Sequence, residues 1–429
     1  MKSSAPAYPP KSIWSVRRTP RDPITFLQGL AAEGDIVPFS LGGHPAFLLN
    51  HPDYVEDVLV VNHSNFSKPP ALQRSSALLG SGLLTAEGEL HRRRRRVLQP
   101  AFGQDRMDAY GTTVAWCAER VHERWHDSQI VDMAAEMHRL TLAVIGQILF
   151  GADLAAEAAD VRRALTVASA SLDPLLSLLA PARRLRPVSV DLRTLVDRLI
   201  NQRLASPDNG DHLLAVLRRS EGSSEQPVTD QLRDDLLTLF VAGHDTIANS
   251  LTWTWQLLAQ HPEAETGLHG ELRSILGGQS PTFKHLRDLT YTGWVLAESL
   301  RLYPPSWVLT RRALGDCDIG GTFVPAGAII VVSQYLLHRD PRFFPDALAF
   351  DPGRWDPACQ QARPKLAYFP FGAGPRSCIG QGLATMEGIL LLAAIARRWR
   401  FEAVTPIDCD PRATLRSKGP VRMRVKQLR

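Results

Sequence analysis

Residues 371–380, FGAGPRSCIG, decide the fold of this 429-residue chain. They place one cysteine, Cys378, in a glycine-dense loop, and an apolar helical pattern resumes at Leu383. A cysteine at a helix N-terminus has its thiolate stabilised by the helix dipole and by free N–H groups. Glycines such as Gly372 let a flat, bulky ligand approach the backbone closely. Arg376 adds a permanent cation, so the loop predicts a thiolate ligand for an iron porphyrin with anionic carboxylates.

A second motif lies in the longest uninterrupted helical pattern, which runs from Val228 to His261. At about 1.5 Å per residue this helix would measure about 48 Å, enough to cross a large domain. Near its middle stand residues 242–246, AGHDT. The small residues would let the helix pack against a flat macrocycle, with the Thr246 hydroxyl beside the iron. In the alternative, Thr246 bonds back to its own helix and Asp245 lies on the helix surface.

Both motifs resemble those of the cytochrome P450 family. The family patterns F-x-x-G-x-R-x-C-x-G and A-G-x-D-T are matched at every fixed position by residues 371–380 and 242–246. The resemblance implies the P450 fold, which is mainly α with small β-sheets. It also implies haem b with Cys378 as the metal ligand. We expect one domain over residues 21–429, preceded by a flexible N-terminal arm, residues 1–20.

Glu298 and Arg301 stand at i, i+3 on one helix face. Taken alone, such a pair is usually a solvated surface pair worth about 0.5 kcal/mol or less. In this position it resembles the E-x-x-R pair of the family, and residues 352–355, PGRW, resemble the element that follows it. The resemblance therefore implies a buried structural network of Glu298, Arg301 and Arg354.

An arginine run, Arg92 to Arg96, stands within residues 87–100, EGELHRRRRRVLQP. It dominates a chain of 49 basic and 44 acidic residues with a net charge of +5. Such a run can indicate a nucleic-acid site, but on a helix the five side chains point in different directions. Within the segment His91 and Arg95 share a face, and the resemblance implies that both bind the haem propionates.

The resemblance assigns two sets of residues to partners. Some of the remaining arginines, Arg92, Arg93, Arg94 and Arg96, would face solvent, and a ferredoxin or flavodoxin-type electron donor would dock near these four, with no role in nucleic-acid binding. The cofactor contacts would come from His91, Arg95, Ala242, Gly243, Arg311, Phe371, Gly372, Arg376 and Cys378. For the additional propionate contact at Arg311, the neighbouring Arg312 is an alternative.

By resemblance, the reaction inserts one oxygen atom of O₂ into a lipophilic substrate such as a fatty acid, terpenoid or steroid. Thr246 and Asp245 would relay protons as catalytic residues, and electrons would come ultimately from NAD(P)H through a separate protein. The expected substrate pocket contains Leu83, Leu84, Leu176, Phe240, Val241, Trp307 and Val308. The alternatives are a peroxide-driven P450, for which the acid–alcohol pair would be unusual, and a non-catalytic haem-binding protein.

The composition, with 44% hydrophobic and 22% charged residues, is typical of a globular protein and excludes a disordered chain. We expect no membrane span, because no run of about 18 apolar residues occurs. Five scattered cysteines indicate a reducing compartment, so we expect a cytoplasmic protein, and a monomer.

Overall fold

The structure is a computed structural model. It describes residues 15–16, 22–69, 75–154, 157–159, 161, 163–164, 186–205, 212–220, 228–358 and 363–428. Of the expected N-terminal arm, only Ser15–Val16 fall within these residues, and Leu176 of the expected pocket lies outside them.

Helices make up most of the described residues, as the sequence predicts. They are α1 (Pro23–Ala31), α2 (Pro52–Glu56), α3 (Ser76–Leu79), α4 (Gly88–Leu98), α5 (Gln104–His122), α6 (Met133–Phe150), α7 (Arg186–Ala205), α8 (Leu213–Ser220), α9 (Asp230–Gln260), α10 (Pro262–Leu276), α11 (Thr290–Leu302), α12 (Gln334–Leu337) and α13 (Gln381–Ala396).

The strands are short and form small sheets. They are β1 (Ser15–Val16), β2 (Ile36–Leu41), β3 (His44–Leu49), β4 (Phe66–Ser67), β5 (Ile130–Asp132), β6 (Leu309–Ala313), β7 (Cys317–Ile319), β8 (Thr322–Val324), β9 (Ile329–Val332), β10 (Trp399–Ala403), β11 (Cys409–Pro411), β12 (Leu415–Ser417) and β13 (Arg422–Gln427). In the described residues one sheet has the order β1-β2-β3-β9-β6-β4 and another β10-β13-β5, while β7-β8 and β11-β12 form two-stranded ribbons.

The long helix α9 confirms the prediction made from residues 228–261. Thr229 is its N-cap, and the Thr229 hydroxyl accepts a hydrogen bond from the Leu232 N–H at 3.1 Å. This cap satisfies one of the N–H groups that have no partner within the helix. The helix ends before Pro262, which begins α10. Most of its residues from Asp235 to Leu258 are buried, so α9 runs through the interior of the molecule, while Ala242, Gly243, Asp245 and Thr246 near its middle keep exposed surface.

The sequence pattern of residues 66–86, with Pro, Ser and Gly among scattered Leu, predicts a long loop, yet these residues contain β4 and the short helix α3. Helical patterns dominate residues 87–203 of the sequence, and the structure adds the strand β5 there, which pairs with the C-terminal strand β13. Such pairing depends on residues almost 300 positions away, which a local pattern does not contain.

The largest apolar core lies between α5, α6, α9, α10, α11 and α13. Because α13 begins three residues after Cys378, this core fixes the cysteine loop relative to the middle of α9. None of the described helices is long and apolar enough to cross a membrane.

Candidate active site

The cysteine loop is held by its own backbone and by a neighbouring helical turn. The Cys378 N–H donates a hydrogen bond to the Phe371 carbonyl oxygen at 2.8 Å. Gly374 has a φ of +68°, and a Cβ there would lie 1.9 Å from the carbonyl oxygen of Leu59. Glycine is therefore required at position 374 by both backbone conformation and close approach.

The Cys378 thiol is exposed toward a cavity. Burial raises its pKa above the ordinary value of a thiol, although the Gly380 N–H and Arg95 lower it in part. The Gly380 N–H makes the contribution expected of the helix N-terminus and acts in the expected direction. A coordinated metal would stabilise the thiolate further, because a coordinating thiol is deprotonated.

One cavity of about 370 Å³ connects the cysteine loop with the middle of α9. Its walls include Cys378 and Phe371 on the loop side and Gly243 and Thr246 on α9. A Cβ on Gly243 would lie 2.8 Å from Ile145 Cδ1, so this glycine allows α6 to pack tightly against α9. The lining is strongly apolar, which suits a macrocycle and a lipophilic substrate.

Thr246 lines the cavity, and its hydroxyl donates to the Ala242 carbonyl oxygen at 2.9 Å. This is the alternative bond considered from the sequence, but it does not remove the hydroxyl from the cavity. Asp245 is only partly buried, and its Oδ2 accepts hydrogen bonds from Thr414 Oγ1 at 2.6 Å and from Asn249 Nδ2 at 3.1 Å.

Basic side chains gather at one part of the cavity. Arg311 and Arg376 line it, and Lys68 is buried next to them. Burial and the Arg376 charge lower the pKa of Lys68 to about 7, and burial lowers that of Arg311 to about 10. Glu87 forms an ion pair with Arg376 at 2.7 Å and offsets only part of this charge.

His91 lies beside this cluster and is buried. Burial, together with the charges of Arg376, Lys68 and Arg95, lowers its pKa to about 3, so it is neutral at pH 7. The cluster therefore carries excess positive charge in a low-dielectric place, where anionic carboxylates would stabilise it. This is a good fit for the propionates of a haem.

The other predicted cofactor residues lie either against the cysteine loop or along the cavity wall. Arg95 Nη1 donates to the Ser377 carbonyl oxygen at 2.6 Å, directly beside Cys378. Arg376 Nη1 donates to the Ala86 carbonyl oxygen at 2.7 Å. Of the two candidates Arg311 and Arg312, it is Arg311 that lines the cavity; Ala242 and Gly372 line it as well.

The predicted docking surface needs a correction. Arg92, Arg93 and Arg96 are exposed, but Arg94 is 4% exposed and donates from Nε to Asp235 Oδ2 at 2.6 Å. Arg94 points from α4 into α9, because the five successive arginines from Arg92 to Arg96 turn through more than a full helical turn. Of the four arginines predicted near a docking site, Arg92, Arg93 and Arg96 are the exposed ones.

Glu298, Arg301 and Arg354 meet in the interior. Arg301 donates to both carboxylate oxygens of Glu298, at 2.8 and 2.9 Å, and Arg354 Nε donates to Glu298 Oε1 at 2.8 Å. Trp355 Nε1 also donates to this carboxylate, at 2.9 Å. Arg301 further donates to the carbonyl oxygens of His338, Ala347 and Ala349. The cluster thus fixes several loops around one fully buried carboxylate.

Most of the expected substrate residues lie elsewhere. Leu84 lines the cavity, but Leu83, Phe240 and Val241 pack in a neighbouring apolar core. Trp307 and Val308 belong to another core, where Trp307 Nε1 donates to the Arg412 carbonyl oxygen at 2.7 Å. The apolar lining that our sequence reasoning missed includes Phe102, Ile145, Leu149, Leu239 and Leu251.

The sequence reasoning also missed Lys68 and a pair of histidines, His138 and His244. Lys68 Nζ donates to the Leu84 carbonyl oxygen. Lys68 is one of only seven lysines among 49 basic residues, and that rarity was the one signal in the sequence. His244 stood at the variable position of AGHDT, where nothing local indicated its burial.

Comparison with known proteins decides the family. The sequence model described as Cytochrome P450 matches residues 15–424. The chain belongs to the cytochrome P450 family. It is therefore a P450 monooxygenase, an enzyme class that requires haem, O₂ and electrons from a redox partner, and the predicted fold class is confirmed.

Curated P450 relatives match along nearly the whole chain. Cyclooctat-9-en-7-ol 5-monooxygenase of Streptomyces melanosporofaciens is 37% identical over 94% of this chain and 92% of its own. Cyclooctatin synthase of the same species is 36% identical over 94% of this chain and 91% of its own. Pentalenene oxygenase of Streptomyces avermitilis is 31% identical over 95% and 93%.

Proposed function

We propose that this P450 hydroxylates a cyclic terpenoid. The observation that carries the proposal is the apolar cavity of about 370 Å³ between α9 and the cysteine loop. Such a lining binds hydrocarbon surface and offers few groups to orient a polar molecule. The names of the relatives, which refer to cyclooctatin, cyclooctat-9-en-7-ol and pentalenene, favour this class over the fatty acids and steroids considered from the sequence.

The haem would be held at its iron, on both faces of its ring and at its propionates in this proposal. Cys378 would ligate the iron, Phe371 and Gly372 would contact the ring on the cysteine side, and Ala242 and Gly243 would contact it from α9. The propionates would neutralise the cations Lys68, Arg95, Arg311 and Arg376 and accept a hydrogen bond from the neutral His91. When bound, the group supplies the O₂ activation that the thiolate ligand promotes.

Thr246 and Asp245 would deliver the protons that the reaction consumes. The Thr246 hydroxyl belongs to one of two hydroxyl residues of α9, with Ser250, among the described cavity lining, and its bond to Ala242 leaves both oxygen lone pairs available as acceptors. Asp245 is adjacent in sequence, partly exposed and outside the lining described for the cavity. It would carry protons from solvent toward Thr246.

A ferredoxin or flavodoxin-type protein would deliver the electrons, ultimately from NAD(P)H. Its docking surface would be Arg92, Arg93 and Arg96, which are exposed on the same helix that sends Arg95 to the cysteine loop. An acidic partner would be steered there by charge. The cytoplasmic location and the monomeric state stay predictions from the sequence.

A spectral titration tests the substrate class. The haem-loaded protein is titrated with pentalenene, other cyclic terpenes, fatty acids and steroids, and the Soret shift that marks displacement of the iron-bound water is recorded. We expect the terpenes to give the largest shifts. Shifts with fatty acids or steroids alone would contradict the proposal.

Two leucines of α9 provide a matched control. Both are buried in the neighbouring core, but Leu239 is among the described residues that line the cavity and Leu237 is not. Leu239→Ala should weaken terpene binding about tenfold, because a lost leucine contact is worth about 1–3 kcal/mol. Leu237→Ala should destabilise the protein and leave the dissociation constant of the terpene unchanged.

A further inference from the structure

A polar cluster lies where α6 packs against α9, and three of its four residues have no role in the proposed function. It contains His138 and Thr141 of α6 and His244 and Asp245 of α9. The first three are buried, with at most 8% of each residue exposed. Burying two imidazoles in an apolar interface costs free energy unless they are hydrogen-bonded, so each ring needs polar partners inside the cluster.

The contacts form a continuous chain that ends at Asp245. Thr141 Oγ1 lies 3.0 Å from His244 Nδ1, and His244 Nε2 lies 3.4 Å from His138 Nδ1. His138 Nε2 lies 3.9 Å from Asp245 Oδ1. The other carboxylate oxygen, Oδ2, is already bonded to Thr414 and Asn249. His138 Nε2 therefore faces Asp245 Oδ1, the carboxylate oxygen that takes no part in these two bonds.

His244 fixes the orientation of His138. Burial, together with the neighbouring His138, holds the pKa of His244 well below its ordinary value, so His244 is a neutral imidazole. A neutral imidazole has one N–H donor and one acceptor. Because His244 Nε2 contacts His138 Nδ1, the ring of His138 is held with its Nε2 directed at Asp245. A histidine at the protein surface is rarely oriented by so specific a contact.

We propose that His138 is a positioning residue for Asp245 and supplies it with the protons that the reaction consumes. The inference rests on the proposed role of Asp245 in proton delivery. In the step, the Nε2–H bond of the His138 imidazolium breaks and an O–H bond forms at Asp245 Oδ1. The electron pair stays on Nε2, which then takes its next proton from water. One intervening water or a small rotation closes the 3.9 Å gap.

Both groups lie outside the apolar cavity. The side chains of His138 and Asp245 are 10% and 24% exposed, and neither is among the described residues that line the cavity. Thr246, the next residue of α9, lines it. The path therefore runs from the buried imidazole of His138 through Asp245 to the threonine beside the proposed haem, and the direct access of Asp245 to solvent is the alternative route that the test must exclude.

The test compares His138→Gln, Asp245→Asn and the double variant in the full-length, haem-loaded protein. The O₂ consumption rate with reduced ferredoxin, O₂ and pentalenene as the probe is measured in H₂O and in D₂O. Glutamine keeps a hydrogen-bond donor near Asp245 but cannot take up and release a proton. His269→Gln is the control, because His269 is also 8% exposed but lies on α10.

We expect His138→Gln to lower the O₂ consumption rate at least about tenfold and to raise the solvent isotope effect, since proton delivery becomes slower. The double variant should be no slower than Asp245→Asn, because both residues act in one path. The Soret band of the reduced CO form should be unchanged in each variant, which excludes a loss of haem.

Two results would overturn the inference, and they are distinguishable. A wild-type rate and isotope effect in His138→Gln, with a slow Asp245→Asn, would show that Asp245 receives protons by another route. A wild-type rate in Asp245→Asn would remove the proposed role of Asp245 itself, and the inference with it.

Discussion

Arg94 and Asp235 form a buried ion pair that joins α4 to α9. Arg94 Nε donates to Asp235 Oδ2 at 2.6 Å, and the side chains are 4% and 0% exposed. Asp235 Oδ1 also accepts the Leu83 N–H at 2.9 Å. One carboxylate thus holds the segment that leads to Leu84 of the cavity wall and the helix that carries the exposed arginines.

Removal of Arg94 should destabilise the protein far more than removal of its neighbour Arg92. Arg94→Ala leaves the Asp235 carboxylate buried without its cation, which costs about 3–5 kcal/mol. Arg92 is 68% exposed and pairs with exposed Glu89, so Arg92→Ala should change stability by about 0.5 kcal/mol or less. Urea unfolding of both variants measures the difference, and equal midpoints would contradict the buried pair.

Charge reversal at Arg93 or Arg96 should slow electron transfer from an acidic ferredoxin. At low ionic strength we expect the second-order rate to fall about tenfold, because steering by charge is lost. The dependence of the rate on salt should weaken at the same time. Stopped-flow reduction measures both quantities. Arg273→Glu on α10 is the control, and an equal effect of that exposed arginine would indicate general charge rather than docking.

Glu298→Ala or Arg301→Ala should give haem-free or insoluble protein rather than a slow enzyme. Each change strands the remaining members of a fully buried charged network, at about 3–5 kcal/mol. The ratio of haem absorbance to protein absorbance and the soluble yield measure the outcome. Exposed Glu263→Ala is the matched change and should be neutral. Soluble, fully haem-loaded Glu298→Ala protein would show that the network is dispensable.

His338 should make the protein sensitive to acid. Its Nε2 accepts the Phe369 N–H at 3.0 Å, and burial together with Arg301 lowers its pKa from 6.5 to about 3. The unfolded chain binds a proton here below about pH 6.5 and the folded protein does not. Stability from this group is therefore present above pH 6.5 and is lost as the pH falls toward about 3.

The corresponding variant is His338→Gln. As the pH falls from about 6.5 to 4, the free energy of unfolding should decrease in both proteins. The decrease should be smaller in His338→Gln than in the wild type, by up to about 3 kcal/mol. Urea unfolding across this pH range gives the slopes. His126→Gln, at an exposed histidine, should keep the wild-type slope. An unchanged slope in His338→Gln would contradict the assignment.

The parts of the site that depend on local pattern were predictable from the sequence. Residues 371–380 form a loop with positive φ at Gly372 and Gly374, and the sequence specifies this with glycine at both positions. The helix α9 begins and ends at the Thr229 and Pro262 signals. In both cases the determining interactions lie within a few residues of one another.

The cofactor side of the cavity was predictable from its motifs, since Ala242, Gly243 and Cys378 line it, but most of its apolar lining was not. A helix turns about 100° per residue, and the expected Phe240 and Val241 lie off the face of α9 that carries Leu239, Ala242, Gly243 and Thr246. Which face meets the cavity depends on α6, and the sequence of α9 does not contain that information. A shift of one residue along the helix was enough to assign core residues to the cavity lining.

The buried partner of Arg94 and the burial of His138 could not be predicted from the sequence, for a related reason. Helical geometry gives the relative directions of the five arginines, but it does not tell what lies in each direction. Asp235 is 141 positions from Arg94, and His244 is 106 positions from His138. Such contacts follow from the packing of α4 and α6 against α9.

The most direct test of the account is the absorption spectrum of the reduced protein under CO, for the wild type and for Cys378→His. We predict the strongly red-shifted Soret band of a thiolate-ligated haem in the wild type, and an unshifted band in Cys378→His because an imidazole then replaces the thiolate. A red-shifted band that persists in Cys378→His, or an unshifted band in the haem-loaded wild type, would contradict the assignment of Cys378 and the mechanism built on it.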